Sequence, residues 1–202
     1  LNDSLYKQWG ISNTKICLKV LKNLQYYLRK GKWCVTCAIF DETNEIINIW
    51  PGFIDSNLYG IAIDLGSTTI AAHICDLSTG EVINSSGIMN PQIRFGEDLM
   101  SRVSYSMMNE DGTEKLKDAV QETLNELCNT LIKDSKIDNK LVVEISIVCN
   151  PVMHHLLLGI NPVELGQAPF ALATSDSLYF KSEELALNSL LNSTVFILPC
   201  IA

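Results

Sequence analysis

Apolar and polar residues alternate in distinct regimes along this chain. Leu18, Leu21, Leu24 and Leu28 recur at helical spacing, with Gly31 just beyond as a stop signal. Lys32–Phe40 and Glu45–Trp50 read as strands around the turn Asp41–Asn44. Pro51–Asn57 is turn-rich and reads as a linker. Tyr59–Leu65 is an apolar run interrupted by one acid, Asp64. Ile70–Cys75 and Glu81–Ser86 follow as two further strands, separated by the turn Asp76–Gly80. Two helices are predicted next. One spans about Glu97–Met108, with Leu99, Val103 and Met107 on one face. The other spans about Thr113–Asp134, with the stripe Leu116, Ala119, Val120, Leu124, Leu127, Cys128 and Leu131. Asp111 and Glu114 have capping-box spacing.

Leu141–Cys149 is rich in β-branched residues and reads as a strand. Asn150-Pro151 then supplies an N-cap and a first-turn proline for a helix over Val152–Leu158, stopped by Gly159. Asn161–Ser177 is loop-rich, Glu183–Leu191 reads as a helix, and Thr194–Leu198 as a last strand. Three consecutive strands followed by alternating helices and strands predict an α/β fold with a mixed sheet flanked by helices. We place a small α/β segment and linker at residues 1–57 and a second domain at residues 58–202.

Composition narrows the class. The 202 residues are 47% hydrophobic and 19% charged, ordinary for a globular protein. The formal net charge of -8 disfavours nucleic acid and acidic membrane surfaces as partners. No run has the length of a transmembrane helix. No basic region followed by an apolar one marks a signal peptide. The chain starts at Leu1 and closes on the apolar run Val195–Ala202, so a piece of a longer protein is expected. Seven cysteines with apolar neighbours fit reduced, mostly buried thiols in a cytoplasmic protein. Cys34 and Cys37 have C-x-x-C spacing, but no second pair accompanies them, and on a strand they would face opposite sides.

The candidate chemistry lies between the first two strands of the second domain. In Asp64-Leu65-Gly66-Ser67-Thr68-Thr69 an acid closes a buried strand and a glycine opens a run of hydroxyls. Glycine allows close backbone approach to a phosphate, and the following amides and hydroxyls of Ser67, Thr68 and Thr69 can donate to it. Asp64 can hold magnesium directly or through water; alternatively it caps its own turn. Because the loop joins two strands, it is not a P-loop, which opens a helix and requires a lysine. The helix N-terminus at Asn150 can face a phosphate. His154 and His155 diverge by about a hundred degrees on a helix and form no metal clamp. We expect one of them to bond a nearby carbonyl. Arg94, Glu97, Asp98 and Arg102 read as a mixed-charge patch around a helix start. Arg94 could reach a phosphate or a partner subunit, or the patch could be a solvated cap. The face carrying Met100, Val103 and Met107 reads as core or dimer contact.

Several segments together resemble a known family. Tyr59–Thr69 resembles the first phosphate motif of the acetate and sugar kinase, heat-shock chaperone and actin superfamily. Asn90–Asp98 with Ser101-Arg102, Asn150–Gly159, and Ala168–Phe170 are similar to reductive activators of corrinoid proteins. The resemblance covers most of residues 58–202. It implies that this part is the first lobe of a ribonuclease-H-like, actin-like nucleotide-binding domain. Residues 1–57 would be the end of a preceding middle domain. It implies ATP and magnesium as cofactors, with Asp64 as the catalytic and magnesium-side acid and Gly66, Ser67, Thr68, Thr69 and Asn150 around the phosphates. It further implies a corrinoid iron–sulfur protein as partner, a homodimer, and an electron supplied by a [2Fe–2S] domain outside this chain. The second phosphate motif and the adenosine-side glycine motif are not found here and would lie downstream. A small-molecule kinase of the same superfamily and a non-catalytic docking or dimerisation module are the alternatives.

Overall fold

The computed structural model describes residues 1–190 and 193–200. The chain forms two compact units, Leu1–Ser56 and Asn57–Ala202.

In the first unit, helix α1 (Asn2–Trp9) precedes a short strand β1 (Lys15–Ile16), helix α2 (Leu18–Lys30) and strands β2 (Val35–Phe40) and β3 (Glu45–Pro51). β3 is central, parallel to β1 and antiparallel to β2. α2 has the predicted extent, and Gly31 ends it. Its inner face differs from the leucine stripe: Leu18 and Leu21 are exposed. Val20, Leu24 and Tyr27 instead pack with Ile46 and Ile49. β2 begins at Val35, not Lys32, because Lys32 and Trp33 take left-handed backbone conformations. Cys34 therefore lies before the strand and is exposed. The thiols are less buried than their neighbours suggested. All seven are free, only Cys128 and Cys200 are buried, and Cys17, Cys37, Cys75 and Cys149 are half-buried. Among the described residues no cluster of three or more histidine, cysteine or carboxylate side chains is arranged to hold a metal ion.

The second unit opens with three consecutive antiparallel strands: β4 (Tyr59–Leu65), β5 (Thr69–Asp76) and β6 (Val82–Met89). Helices α3 (Leu99–Met108) and α4 (Gly112–Ser135) lead to β7 (Val142–Cys149), which is followed directly by α5 (Pro151–Leu158). β8 (Leu178–Lys181) and β9 (Thr194–Ile197) complete a six-stranded sheet in the order β6-β5-β4-β7-β9-β8. β7 runs parallel to both β4 and β9. Three antiparallel strands extended by two parallel ones from the first strand give the mixed, ribonuclease-H-like sheet of an actin-like ATPase. β8 is an antiparallel addition at its edge.

Alternation along β4 sends Ile61, Ile63 and Leu65 into the core and leaves Ala62 and Asp64 exposed. The core is closed by α4 and α5. The whole predicted α4 stripe, from Leu116 to Leu131, is buried. Truncating one of these leucines to alanine would cost about 2–5 kcal/mol.

Four local expectations are corrected. α3 begins at Leu99 because Asp98 is its N-cap, its carboxylate accepting from the Ser101 amide at 2.7 Å. Met107 does not join its inner face and is 62% exposed; Arg102, Val103 and Ser106 are the buried residues. Asp111 forms no capping box, since its carboxylate pairs with Lys115 at 2.8 Å. The helix expected over Glu183–Leu191 is two 3-10 turns, Ser182–Leu185 and Asn188–Leu190, with Leu191 outside the described residues. Ala186 takes a left-handed conformation between them, and the Ser182 hydroxyl binds the Leu190 carbonyl, so helical hydrogen bonding cannot run through. β8, which precedes these turns, carries no sequence signal that separates it from the loop before it.

Candidate functional site

The parallel pairing of β4 and β7 brings their C-terminal ends to one edge of the sheet. Leu65 stands opposite Cys149, so the Gly66–Thr69 loop and the start of α5 emerge side by side. β6 ends at the same edge, where Met89 pairs with Thr69 and the chain turns at Asn90. Asp64, Gly66, Ser67, Thr68, Thr69 and Asn150 thus share one rim.

The loop is tight. A Cβ on Gly66 would lie 2.4 Å from the Thr69 carbonyl oxygen, so only glycine fits this close backbone approach. Asp64, Thr68 and Thr69 are exposed, and Gly66 and Ser67 half-buried. Asn150 spends its side-chain oxygen on the Met153 amide at 3.0 Å, capping α5.

Two buried side chains hold the loop from behind. The Asn90 side-chain amide donates to the Gly66 carbonyl at 2.9 Å, and the Asn90 backbone amide donates to the Thr68 carbonyl at 2.8 Å. The Asn90 side-chain oxygen accepts from the Gln92 amide at 3.0 Å. Arg102 Nη2 donates to the Ser67 carbonyl at 2.6 Å. Three successive carbonyls of the loop are therefore engaged. In a trans peptide the N–H points opposite to the C=O. The amides of Ser67, Thr68 and Thr69 accordingly point away from the partners that hold these carbonyls. Those of Ser67 and Thr68 donate no hydrogen bond within the described residues. Free backbone amides beside exposed hydroxyls suit the oxygens of a phosphate.

Arg102 is the residue whose environment the sequence concealed. It reads as part of a solvated charged patch, yet it is completely buried. Its Nε donates to the Gly96 carbonyl at 3.1 Å and its Nη1 to Gln92 Oε1 at 3.2 Å and Met153 Sδ at 3.3 Å. Gln92, equally buried, ties this group to α4 through the Leu116 carbonyl at 2.8 Å. Burial draws the guanidinium below its ordinary value, with the Asp98 charge opposing. The available signal was its position between Leu99, Val103 and Ser106 on the inner face of α3. Arg94 is exposed and lies over the Phe95 ring at 4.7 Å.

The two histidines of α5 differ. His155 donates from Nδ1 to the Pro151 carbonyl at 2.8 Å and accepts the Ala173 amide at Nε2 at 3.1 Å, the carbonyl bond expected of one histidine. His154 is fully buried, and neither ring nitrogen has a partner among the described residues. Its pKa is lowered, first by burial and then by His155. Cys149, at the end of β7, is pushed up to about 12 by burial, with Cys200 and Asp64 adding to the shift, so it stays a protonated thiol.

Comparison with known proteins places these features. Residues 59–202 match the family model for the RACo middle region and residues 1–56 that for the RACo linker region. A corrinoid activation enzyme, RamQ, from Eubacterium limosum is 33% identical over 163 residues, covering 78% of this chain and 27% of that protein. A solved reductive activator for corrinoid, iron-sulfur protein superposes with a TM-score of 0.88 at 30% identity, covering all of this chain and 32% of the other. The chain thus spans about a third or less of the length of these relatives. It belongs to the RACo family, as a linker region followed by a middle region.

Proposed function

We propose that the protein containing this chain carries out the ATP-dependent reductive activation of a corrinoid methyl-carrier protein. Similarity to a reductive activator for corrinoid, iron-sulfur protein over the whole chain is the observation that carries this reading. A [2Fe–2S] cluster outside this chain would supply the one electron that takes Co(II) to Co(I), being oxidised in turn. ATP, when bound, supplies the free energy that makes this uphill transfer productive.

The rim of the sheet fits a nucleotide's phosphates, because Gly66 permits close approach and the Ser67 and Thr68 amides are free. In this reading the Gly66–Thr69 backbone and the hydroxyls of Ser67, Thr68 and Thr69 bind the β- and γ-phosphates. Asp64, as a carboxylate, holds magnesium directly or through water and is the catalytic residue of the site. Asn150 orients the α5 N-terminus toward the same anion. This unit acts as one lobe of a two-lobed nucleotide site, and two copies pair through the actin-like domain. Light scattering on the intact protein reads the pairing.

The test mixes the full-length protein with a Co(II) corrinoid protein, a reductant and ATP, and follows Co(I) absorbance. ATP-dependent formation of Co(I) is expected. A cognate pair that gives none rules the activity out, and phosphorylation of a small metabolite instead would favour a kinase.

A further inference from the structure

Arg102 is a buried positive charge without a close ion pair, although Asp98 attracts it from beyond ion-pair distance. No carboxylate lies within ion-pair distance among the described residues, and Asp98 is engaged with the Ser101 amide at the helix start. Its hydrogen bonds run to neutral acceptors only: two backbone carbonyls, an amide oxygen and a thioether sulfur. They use four of the five N–H donors of a guanidinium, and the fifth is on Nη2, the nitrogen that binds the Ser67 carbonyl. A neutral side chain would supply donors to these acceptors without the desolvation of a full charge. The charge therefore calls for an account that the hydrogen bonds do not give.

We infer that Arg102 is a positioning residue and fixed positive charge behind the Gly66–Thr69 loop, and that the polyphosphate of the bound nucleotide is the anion its charge serves. By pulling the Ser67 carbonyl inward it turns the Thr68 amide outward, as the planarity of the peptide requires. Its charge acts in a low-dielectric interior, where attraction to an anion at the loop is screened weakly. Arg102 thus orders the amide cradle and makes affinity depend on how much negative charge the ligand carries. The inference rests on the reading of this loop as a phosphate site.

Binding of ATP, ADP and AMP, each with magnesium, is measured by calorimetry on the full-length wild type and on Arg102→Gln and Arg102→Lys. Arg102→Gln is expected to weaken ATP about tenfold or more, ADP less, and AMP least. Arg102→Lys keeps the charge and should retain the ATP-over-AMP preference. A purely structural role predicts equal losses for the three nucleotides in both variants, and that result overturns the inference. If the wild type binds no nucleotide, the phosphate-site reading fails and this inference with it. If Arg102→Gln does not fold, the wild-type Nε–H resonance of Arg102 is followed by NMR. Its shift should grow from AMP to ATP at saturation; an unmoved resonance counts against the proposal.

Discussion

The side-chain amide of Asn90 donates to the carbonyl of Gly66 at 2.9 Å, joining the end of the third antiparallel strand to the loop between the first two. Asn90 is fully buried and its side-chain oxygen also accepts from the Gln92 amide, so truncating the side chain strands both the Gly66 carbonyl and the Gln92 amide. Asn90→Ala should destabilise the fold by about 1–3 kcal/mol, the cost of buried groups left unsatisfied. It should also weaken ATP, because the Gly66 carbonyl loses the side-chain bond that restrains the loop. Urea denaturation with nucleotide titration checks both; an unchanged affinity would show that the loop needs no such support.

Gly66→Ala tests the loop itself. The added methyl would sit 2.4 Å from a backbone oxygen, so the turn between β4 and β5 must shift rather than a side chain yield. ATP affinity should fall at least about tenfold, with a stability loss of about 1–3 kcal/mol. Wild-type binding by this variant would exclude the loop from the phosphate site.

How far these features were legible depends on what each residue type announces. The hairpin β4–β5–β6 and the α4 stripe follow from period 2 and period 3.6, and the structure has both. Periodicity placed α2 but missed part of its inner face, where contact with β3 selects Val20, Leu24 and Tyr27 and leaves Leu18 and Leu21 exposed. It failed at Ser182–Leu190, where Leu185, Leu187 and Leu190 are buried by tertiary packing of short turns. At the candidate site, Asp64 and the Gly66–Thr69 run stood out as a glycine turn followed by hydroxyls, a pattern that an ordinary turn between strands also produces. Asn90 stood out only through a resemblance, and Arg102 through that and as one charge of a patch around a helix start. Charge and amide groups read as surface until a fold brings acceptors such as the Ser67 carbonyl to them across 35 residues.

Asp64 separates function from stability. Its side chain is exposed on the strand face opposite the core and makes no hydrogen bond within the described residues. Asp64→Ala should leave the denaturation midpoint within about 0.5 kcal/mol of wild type, as for surface substitutions generally. The same change should abolish ATP turnover in the intact protein. Unchanged turnover would remove Asp64 from the site.

His154 makes the fold sensitive to acid. Its pKa lies below the ordinary 6.5 in the folded chain because burial without partners disfavours the imidazolium. The unfolded chain takes up a proton near pH 6.5 that the folded chain refuses. The contribution of His154 is therefore fully present above that pH and is lost as pH falls toward the folded pKa. The slope is at most about 1.4 kcal/mol per pH unit. In His154→Leu, which replaces the ring with an apolar group, stability should vary less between pH 6.5 and 5 than in wild type. Urea midpoints across this range give the comparison. Parallel curves for the two proteins would mean that His154 is protonated equally in both states, and that its ring nitrogens find partners when charged.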